Sequence, residues 1–252
     1  MSDSRKENEK NFFNNEAEQR GRKIVNLFYN DNLLELVRGD FRKYLLDNCK
    51  GKRVLELGCG IGSVAPLLVQ NGATVLGIDI SDGAIKVAIE DAKNNGLQNI
   101  SYEVMDAEKL QIPDNHFDLV CGVAILHHLD LEAAMNELNR VTKPDGKAVF
   151  IEPLGHNPFI NLFRKLTPHL RTKDEHPLTS KEIKSVLSLY KVSKSQYFYL
   201  ISPFAIPLKG TFLFAPAVKF LNRLDQLLFR IIPPIRFLAW QVLIIIENPN
   251  KS

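Results

Sequence analysis

The chain of 252 residues is long enough for one sizeable core, and its 45% hydrophobic and 24% charged residues are typical of a globular protein. This composition excludes an intrinsically disordered chain, a collagen-like repeat and a disulfide-stabilised scaffold. A formal net charge of +3, from 32 basic and 29 acidic residues, gives no electrostatic signature of a dedicated nucleic-acid-binding protein. We therefore expect no nucleic-acid partner.

Features that report on cellular location point to the cytoplasm. Cys49, Cys59 and Cys121 follow no disulfide or metal-site spacing, which favours a reducing compartment. The first 23 residues mix basic and acidic side chains without an apolar stretch, which argues against a signal peptide. The most apolar stretch, 198–246, is interrupted by prolines and basic residues, so no membrane-spanning helix is expected.

The pattern along the chain predicts an α/β protein. Residues 1–48 begin with a polar stretch and continue with a helical pattern, and we expect them to form an N-terminal helical cover. From Arg53 onward, β-branched runs alternate with segments of helical period, which predicts a parallel sheet within a domain over 49–252. The predicted strands are Arg53–Leu57, Thr74–Asp79, Ile100–Val104, Phe117–Cys121, Lys147–Glu152, Ser195–Leu200 and Trp240–Ile246.

Capping residues predict where helices begin between these strands. Ser81 and Asp130 have side chains suited to cap two helices, the second of which ends at the turn sequence 143–146. Thr179 and Glu182 have the spacing of a capping box ahead of a third helix.

The segment 201–236 is predicted to be an apolar insertion between the last two strands. It is too long for a hairpin loop and too apolar to be left in water. Its aromatic residues are accompanied by Lys and Arg, and Asp225 is its single acid. Two roles stay open: packing against the domain, or forming an apolar roof over a ligand that also contacts a membrane surface.

The strongest motif is a predicted strand that runs into a glycine-rich loop containing Gly58, Gly60 and Gly62. Glycines let the backbone approach a ligand closely and expose amide groups at a helix N-terminus. The second strand ends at Asp79, whose carboxylate can accept hydrogen bonds from both hydroxyls of a ribose. The loop and the acid together predict an adenosine-containing cofactor.

Two residues distinguish between cofactor classes. Ser63 stands where the loop of a dinucleotide-binding dehydrogenase has Gly or Ala. The acidic Glu56, just before the loop, suits a cofactor with a positive charge better than one with a diphosphate. A nicotinamide oxidoreductase is therefore disfavoured.

With these residues the chain resembles the class I S-adenosylmethionine-dependent methyltransferases. Residues 105–108 resemble the family's adenine-contacting segment, 117–120 with 125–129 resemble its strand-four signature, and 140–146 resemble its turn before strand five. The resemblance covers about residues 50–153. It is greatest to the small-molecule branch, which includes quinone-biosynthesis and natural-product methyltransferases.

The resemblance implies a doubly wound, Rossmann-like sheet of seven strands whose last strand is antiparallel. It also implies S-adenosylmethionine as the cofactor and a small molecule as the methyl acceptor. If the apolar segment 201–236 forms a roof over the ligand, a hydrophobic or amphipathic acceptor is expected. Oxygen is the foremost acceptor atom, with nitrogen and carbon as alternatives. The residues expected to hold the cofactor are Glu56, Gly58, Gly60, Gly62, Asp79, Ile80, Asp106, Ala107 and Gly122.

A hydroxyl acceptor benefits from a general base, and ligands of open sheets bind beyond the carboxyl ends of the strands. His128 follows the fourth predicted strand, and His156 and His176 lie in the segment 153–178 after the fifth, which we expect to be an active-site segment. These three histidines are the candidate catalytic residues, with His156 and His176 favoured over His128. His156, His169 and His176 have spacings that match no compact ligand motif, so no metal site is expected.

Other interpretations stay open. The domain could bind a cofactor or a partner without catalysis. An RNA or protein methyltransferase is disfavoured by the charge balance and by the lack of an extra recognition domain. We expect a small-molecule acceptor and a cytoplasmic location, with peripheral membrane contact as an open alternative. The sequence identifies neither the acceptor nor the oligomeric state.

Overall fold

A computed structural model of the chain describes residues 2–18, 34–167, 172 and 176–251. Within these ranges, seven strands form one sheet in the spatial order β3-β2-β1-β4-β5-β7-β6. The first five strands are parallel, and β7 runs antiparallel to both β5 and β6, which confirms the predicted fold. The strands are β1 (Arg53–Leu57), β2 (Thr74–Asp79), β3 (Ile100–Val104), β4 (Phe117–Val123), β5 (Thr142–Pro153), β6 (Tyr190–Phe198) and β7 (Gln241–Pro249).

Helices cover both faces of the sheet. The described α-helices are α1 (Ser2–Glu18), α2 (Glu35–Asn48), α3 (Ala65–Gln70), α4 (Asp82–Asn94), α5 (Leu131–Val141), α6 (Pro158–Leu166), α7 (Ser180–Ser188) and α8 (Phe214–Ile231). Two separate apolar clusters are buried, because alternate strand residues face opposite sides of a sheet. Phe41 of α2 and Ala88 of α4 belong to one cluster, and Met135 of α5 and Ile183 of α7 belong to the other.

The predicted helix starts are confirmed by their hydrogen bonds. The Ser81 side chain accepts from the backbone N–H of Ala84, and Asp130 accepts from that of Ala133. The side chains and backbone N–H groups of Thr179 and Glu182 bond reciprocally, which completes the capping box.

The bounds predicted for the last four strands were wrong, the smallest difference being that β4 continues past Cys121 to Val123. β5 begins at Thr142, because residues 143–146 form a bulge opposite the irregular pairing between Phe117 and Leu119 of β4 rather than a turn outside the sheet. β6 begins at Tyr190 and β7 continues to Pro249, since their antiparallel pairing extends well beyond the predicted runs. Antiparallel pairing of half-exposed residues needs no continuous apolar run, so the sequence pattern understated both strands.

The connection between β6 and β7 contains α8 and two 3₁₀ helices, Ser202–Leu208 and Pro233–Leu238. Asp225 of α8 is fully buried, and its carboxylate accepts hydrogen bonds from the backbone N–H groups of residues 200–202 and from the hydroxyl of Ser202. This buried acid fixes the start of the connection to α8. Across the described part of the chain, no helix combines the length and apolar character needed to cross a bilayer.

Candidate active site

A cavity of about 510 Å³ opens beyond the carboxyl ends of β1, β2 and β4. Its volume lies within the range of roughly 300–1,000 Å³ that is typical of small-molecule sites. Gly58, Gly60, Asp79, Ile80 and Ala107 contribute to its wall, as does Asp106. The cavity therefore lies where ligands of open α/β sheets bind, and six of the nine predicted cofactor residues line it.

Two glycines of the loop after β1 lack a side chain for different reasons, one for packing and one for ligand space. Gly58 has φ +62°, and a Cβ atom there would lie 2.5 Å from the side chain of Ile125. Gly60 has φ +52°, and an added Cβ atom would meet no other atom within 4 Å. Since Gly60 also lines the cavity, its backbone borders space that a cofactor can fill.

Asp79 holds this loop against the end of β2. One carboxylate oxygen accepts a hydrogen bond from the backbone N–H of Gly60, and the other accepts from that of Ser81, both at 2.9 Å. Burial raises the pKa of Asp79, and the two hydrogen bonds oppose that rise. Each carboxylate oxygen retains a second lone pair, so the group can still accept hydrogen bonds from a ligand.

Glu56 lies behind the loop, outside the lining that the described residues form. Its carboxylate accepts hydrogen bonds from the backbone N–H groups of Val64 at 3.0 Å and Ala65 at 2.8 Å, where α3 begins. Burial raises the pKa of Glu56 to about 7, although these hydrogen bonds lower it. The structure thus places Glu56 as a support of the loop and of the N-terminus of α3.

Gly62 and Gly122 also lie outside the described lining, and their lack of a side chain serves packing. A Cβ atom on Gly62, which has φ +88°, would lie 2.5 Å from the hydroxyl of Tyr102. A Cβ atom on Gly122 would lie 2.7 Å from the side chain of Ile125. Gly122 therefore makes room for Ile125, which lines the cavity, and Gly62 makes room for Tyr102 behind the loop.

The N-terminal helix α1 forms part of the cavity wall, which the sequence reasoning did not predict in detail. The ammonium group of Lys6 lies 2.7 Å from Asp106 and 2.8 Å from Glu108, and the guanidinium of Arg5 also bonds Glu108. These ion pairs fasten α1 to the loop after β3. Phe12 and Phe13 of the same helix line the cavity as well.

His128 lines the cavity and contacts α1 through a carboxylate. Its Nδ1 atom lies 3.1 Å from one oxygen of Glu9 and 3.2 Å from the other. The hydroxyl of Thr172 donates to Glu9 at 2.5 Å. Although burial alone would raise the pKa of Glu9, its hydrogen bonds with His128 and Thr172 lower it. Glu9 is therefore an ionised partner that orients the imidazole ring.

A second histidine–carboxylate pair lies beside the first. The Nδ1 atom of His127 lies 2.8 Å from Glu152, which is fully buried at the end of β5. The other oxygen of Glu152 accepts hydrogen bonds from the backbone N–H groups of Ile125 and Leu126. Glu152 therefore fixes the 3₁₀ turn Leu126–His128 that carries both histidines.

The structure does not bring His156 and His176 to the cavity. Both side chains are exposed, and they bond the backbone N–H of Ser180 and the carboxylate of Glu182, respectively. The two side chains face away from the cavity because the backbone of 153–155 pairs with Leu178, although Pro153 and Arg164 of the same segment line the cavity. His169 lies outside the described residues. Among those described, no cluster of three or more His, Cys, Asp or Glu side chains has the arrangement of a metal site.

Comparisons with known proteins agree with this geometry. Residues 55–150 match a family model described as a methyltransferase domain. The ubiquinone biosynthesis O-methyltransferase of Pseudomonas fluorescens (strain Pf0-1) is 35% identical over 119 residues, which cover 46% of this chain and 50% of that protein. The methyltransferase GfsG of Streptomyces halstedii is 34% identical over 105 residues, which cover 40% of this chain and 38% of that protein. The chain thus spans half or less of these curated relatives.

The fold is also similar to that of a solved structure, a phosphoethanolamine N-methyltransferase 2 of Haemonchus contortus in complex with S-adenosylhomocysteine. The TM-score is 0.59 at 16% identity, and the match covers 82% of this chain and 53% of that one. At this identity the likeness shows the fold alone. The matched family, the sheet order and the glycine loop with Asp79 confirm the resemblance found in the sequence. Residues 55–150 of this chain are thus a methyltransferase domain, similar to the class I S-adenosylmethionine-dependent methyltransferases.

Proposed function

We propose that this protein transfers the methyl group of S-adenosylmethionine to a hydroxyl oxygen of a small, hydrophobic or amphipathic acceptor, with His128 as the general base. The observation that carries the proposal is the Glu9–His128 pair, which lies in the wall of the cavity that Asp79 and Gly60 also line. A base and a nucleotide-binding loop on one cavity favour methylation of a hydroxyl, because the base can take the hydroxyl proton while the loop holds the cofactor beside it.

The cofactor would be held by Gly58, Gly60, Asp79, Ile80, Asp106 and Ala107. The open side of Gly60 leaves space for it, and the Asp79 carboxylate has lone pairs for its ribose hydroxyls. When bound, the cofactor supplies an already activated methyl group on a sulfonium. Glu56 and Gly62 would not contact the cofactor and would instead hold the glycine loop in place.

The chain itself must align the acceptor, accept the hydroxyl proton and exclude water. Glu9 holds Nδ1 of His128, so it fixes the ring and stabilises the imidazolium that forms when the acceptor proton is taken. Helix α1, fastened by Arg5 and Lys6, covers the cavity and limits its contact with solvent.

The acceptor class is inferred from the remaining wall of the cavity. Phe12, Phe13, Ile125 and Trp240 contribute apolar surface, while Arg164 brings a cation. An aromatic or alkyl-bearing hydroxyl compound suits such a wall better than a strongly hydrated substrate does. The similarity to the P. fluorescens O-methyltransferase also favours oxygen as the acceptor atom.

The experiment is a transfer assay with methyl-labelled cofactor and a panel of phenols, with and without an alkyl chain. Label in a phenol ether that is lost in His128→Asn supports the proposal. Cofactor binding without transfer to any hydroxyl acceptor would favour a non-catalytic binding protein, and label on nitrogen or carbon would overturn the choice of oxygen. Trp240, the single tryptophan of the chain, lines the cavity and offers a fluorescence signal for ligand binding.

A further inference from the structure

Large apolar side chains are exposed on one contiguous part of the surface, here named the apolar face. It is formed by α6, by the 3₁₀ helix Ser202–Leu208 with the turn that follows it, and by α8. We propose that the apolar face docks on an anionic phospholipid bilayer. This inference deepens the proposed function, since a lipid surface is where an amphipathic acceptor would be found.

The exposure of these side chains is unusual for a monomer surface. Phe212 is 87% exposed, Leu166 is 72% exposed and Ile231 is 65% exposed. Phe159 of α6 and Phe204 of the 3₁₀ helix are also exposed, and their ring centres lie 5.2 Å apart. The elements therefore share one surface rather than presenting isolated apolar residues.

Helix α8 is amphipathic in the manner of a helix that lies on a membrane surface. Its exposed Phe220, Leu227 and Ile231 are spaced by seven and four residues, which places them on one side of the helix. Phe214 and Val218 face the core instead. The helix thus has one apolar side for the protein and a second apolar side that the described residues leave exposed.

The charges beside the apolar residues favour anionic lipid as the occupant. Lys219, Arg223 and Arg230 of α8 are exposed, whereas Asp225, the single acid of the helix, is fully buried. Between 183 and 246 the sequence has eight Lys and Arg residues and no acid other than Asp225. A second copy of this chain would bring like charges together, whereas anionic head groups complement them.

The apolar face is continuous with the cavity through α6. Arg164 of this helix lines the cavity, while Leu162 and Leu166, on neighbouring turns, are exposed to solvent. Docking of α6 would therefore bring the wall of the cavity next to the lipid. An amphipathic acceptor could pass between bilayer and cavity over a short distance.

The test is co-sedimentation of the full chain, without cofactor or acceptor, with vesicles of equal parts phosphatidylcholine and phosphatidylglycerol. Binding should be strong at low salt, weaker at high salt and weaker with phosphatidylcholine alone. Two double variants should each weaken vesicle binding by roughly tenfold or more: Phe212→Ser with Phe220→Ser, and Lys219→Gln with Arg223→Gln. Because all four side chains are exposed, these variants should fold, which circular dichroism and thermal unfolding can verify.

The matched controls are Ile89→Ser and Lys86→Gln on α4, an exposed apolar and an exposed basic position away from the apolar face. They should bind vesicles as the unmodified chain does. Absence of binding at low salt, or equal binding by all variants, would overturn the proposal. A stable dimer that dissociates only in the apolar-face variants would also overturn it, because a second copy of the chain would then cover the apolar face. Transfer to a tail-free phenol is assayed separately, so failure of docking and failure of the proposed function are distinguishable.

Discussion

The carboxylate of Glu9 and the imidazole of His128 lie 3.1 Å apart, although 119 residues separate them along the chain. The pair joins the N-terminal helix to the turn after β4 at the wall of the cavity. If His128 is the base, Glu9 is its positioning residue, and the two must act as one unit.

We expect His128→Asn to lower kcat by roughly 10²–10⁴-fold while cofactor affinity is unchanged, because a general base contributes about that much. Glu9→Gln should cause a smaller loss, and the double variant should be no slower than His128→Asn alone. Steady-state kinetics and calorimetry measure both quantities. Glu7→Gln, an exposed position on α1, is the control. Additive losses in the double variant would mean that Glu9 acts independently of His128.

Asp79→Asn should weaken cofactor binding by about tenfold to a hundredfold, since hydrogen bonds to a charged acceptor are worth about 1.5–3 kcal/mol. Burial raises the pKa of Asp79 above its ordinary value of 3.8, so affinity should begin to fall on acidification at a higher pH than for an ordinary aspartate. Calorimetry across pH tests both effects. Asp145→Asn, at an exposed position near the opposite ends of the strands, should leave affinity unchanged.

Local patterns were sufficient to predict the core of the domain. β1, the glycine loop and Asp79 are encoded within a few residues of one another, and the bounds predicted for β1, β2 and β3 are those observed. The contribution of α1 to the cavity wall could not be predicted from local patterns. That helix carries three apolar residues, Phe12, Phe13 and Ala17, which are too few to form an apolar stripe along it. Its ion pairs with Asp106 and Glu108 join residues about a hundred positions apart.

The candidate base illustrates a different limit of the sequence. Loops after parallel strands generally reach the ligand edge, and this rule favoured His156 and His176. Backbone pairing of Gly155 with Leu178, and capping of α6 by Asn157, direct the side chains of His156 and His176 away from the cavity. Such pairing depends on tertiary contacts that no local spacing reveals.

Lys6→Gln should raise the dissociation rate of the cofactor several-fold, because its two ion pairs hold α1 over the cavity. The pairs are partly exposed, so each is worth no more than about 1 kcal/mol and the effect should shrink at high salt. Stopped-flow fluorescence of Trp240 follows the rate. Lys43→Gln removes a comparable surface pair with Asp47 on α2 and serves as the control. If neither Lys6→Gln nor added salt changes the dissociation rate of the cofactor, α1 does not retain the cofactor.

Glu56 should make the free energy of unfolding depend on pH. Its pKa of about 7 in the folded chain lies above the ordinary value of 4.5, so the folded state holds the proton more tightly. This contribution is fully present below pH 4.5 and is lost as the pH rises through about 7. The stability of the unmodified chain relative to Glu56→Gln should therefore fall by roughly 3 kcal/mol over that window. Urea unfolding at several pH values measures the difference, and a constant difference would contradict the prediction.

Asp225→Ala should destabilise the chain by roughly 2–4 kcal/mol, because it leaves the buried or partly buried N–H groups of residues 200–202 without their acceptor. Thermal and urea unfolding report the loss. Asp91→Ala, at an exposed position on α4, should change stability by less than about 0.5 kcal/mol. If the two variants lose equal stability, the buried carboxylate does not hold the connection together.

Burial of Asp225 has a consequence for the whole molecule, since it leaves the surrounding stretch without an exposed negative charge. Residues 183–246 carry eight basic residues and one acid, a net +7, while the remainder carries 24 and 28, a net −4. Basic charge is therefore concentrated on β6 and on the connection that contains α8, despite the small net charge of the chain. Near a negatively charged surface, within a Debye length of about 10 Å, such a basic region is attracted more strongly than the rest of the molecule. The molecule would approach the surface with this region leading.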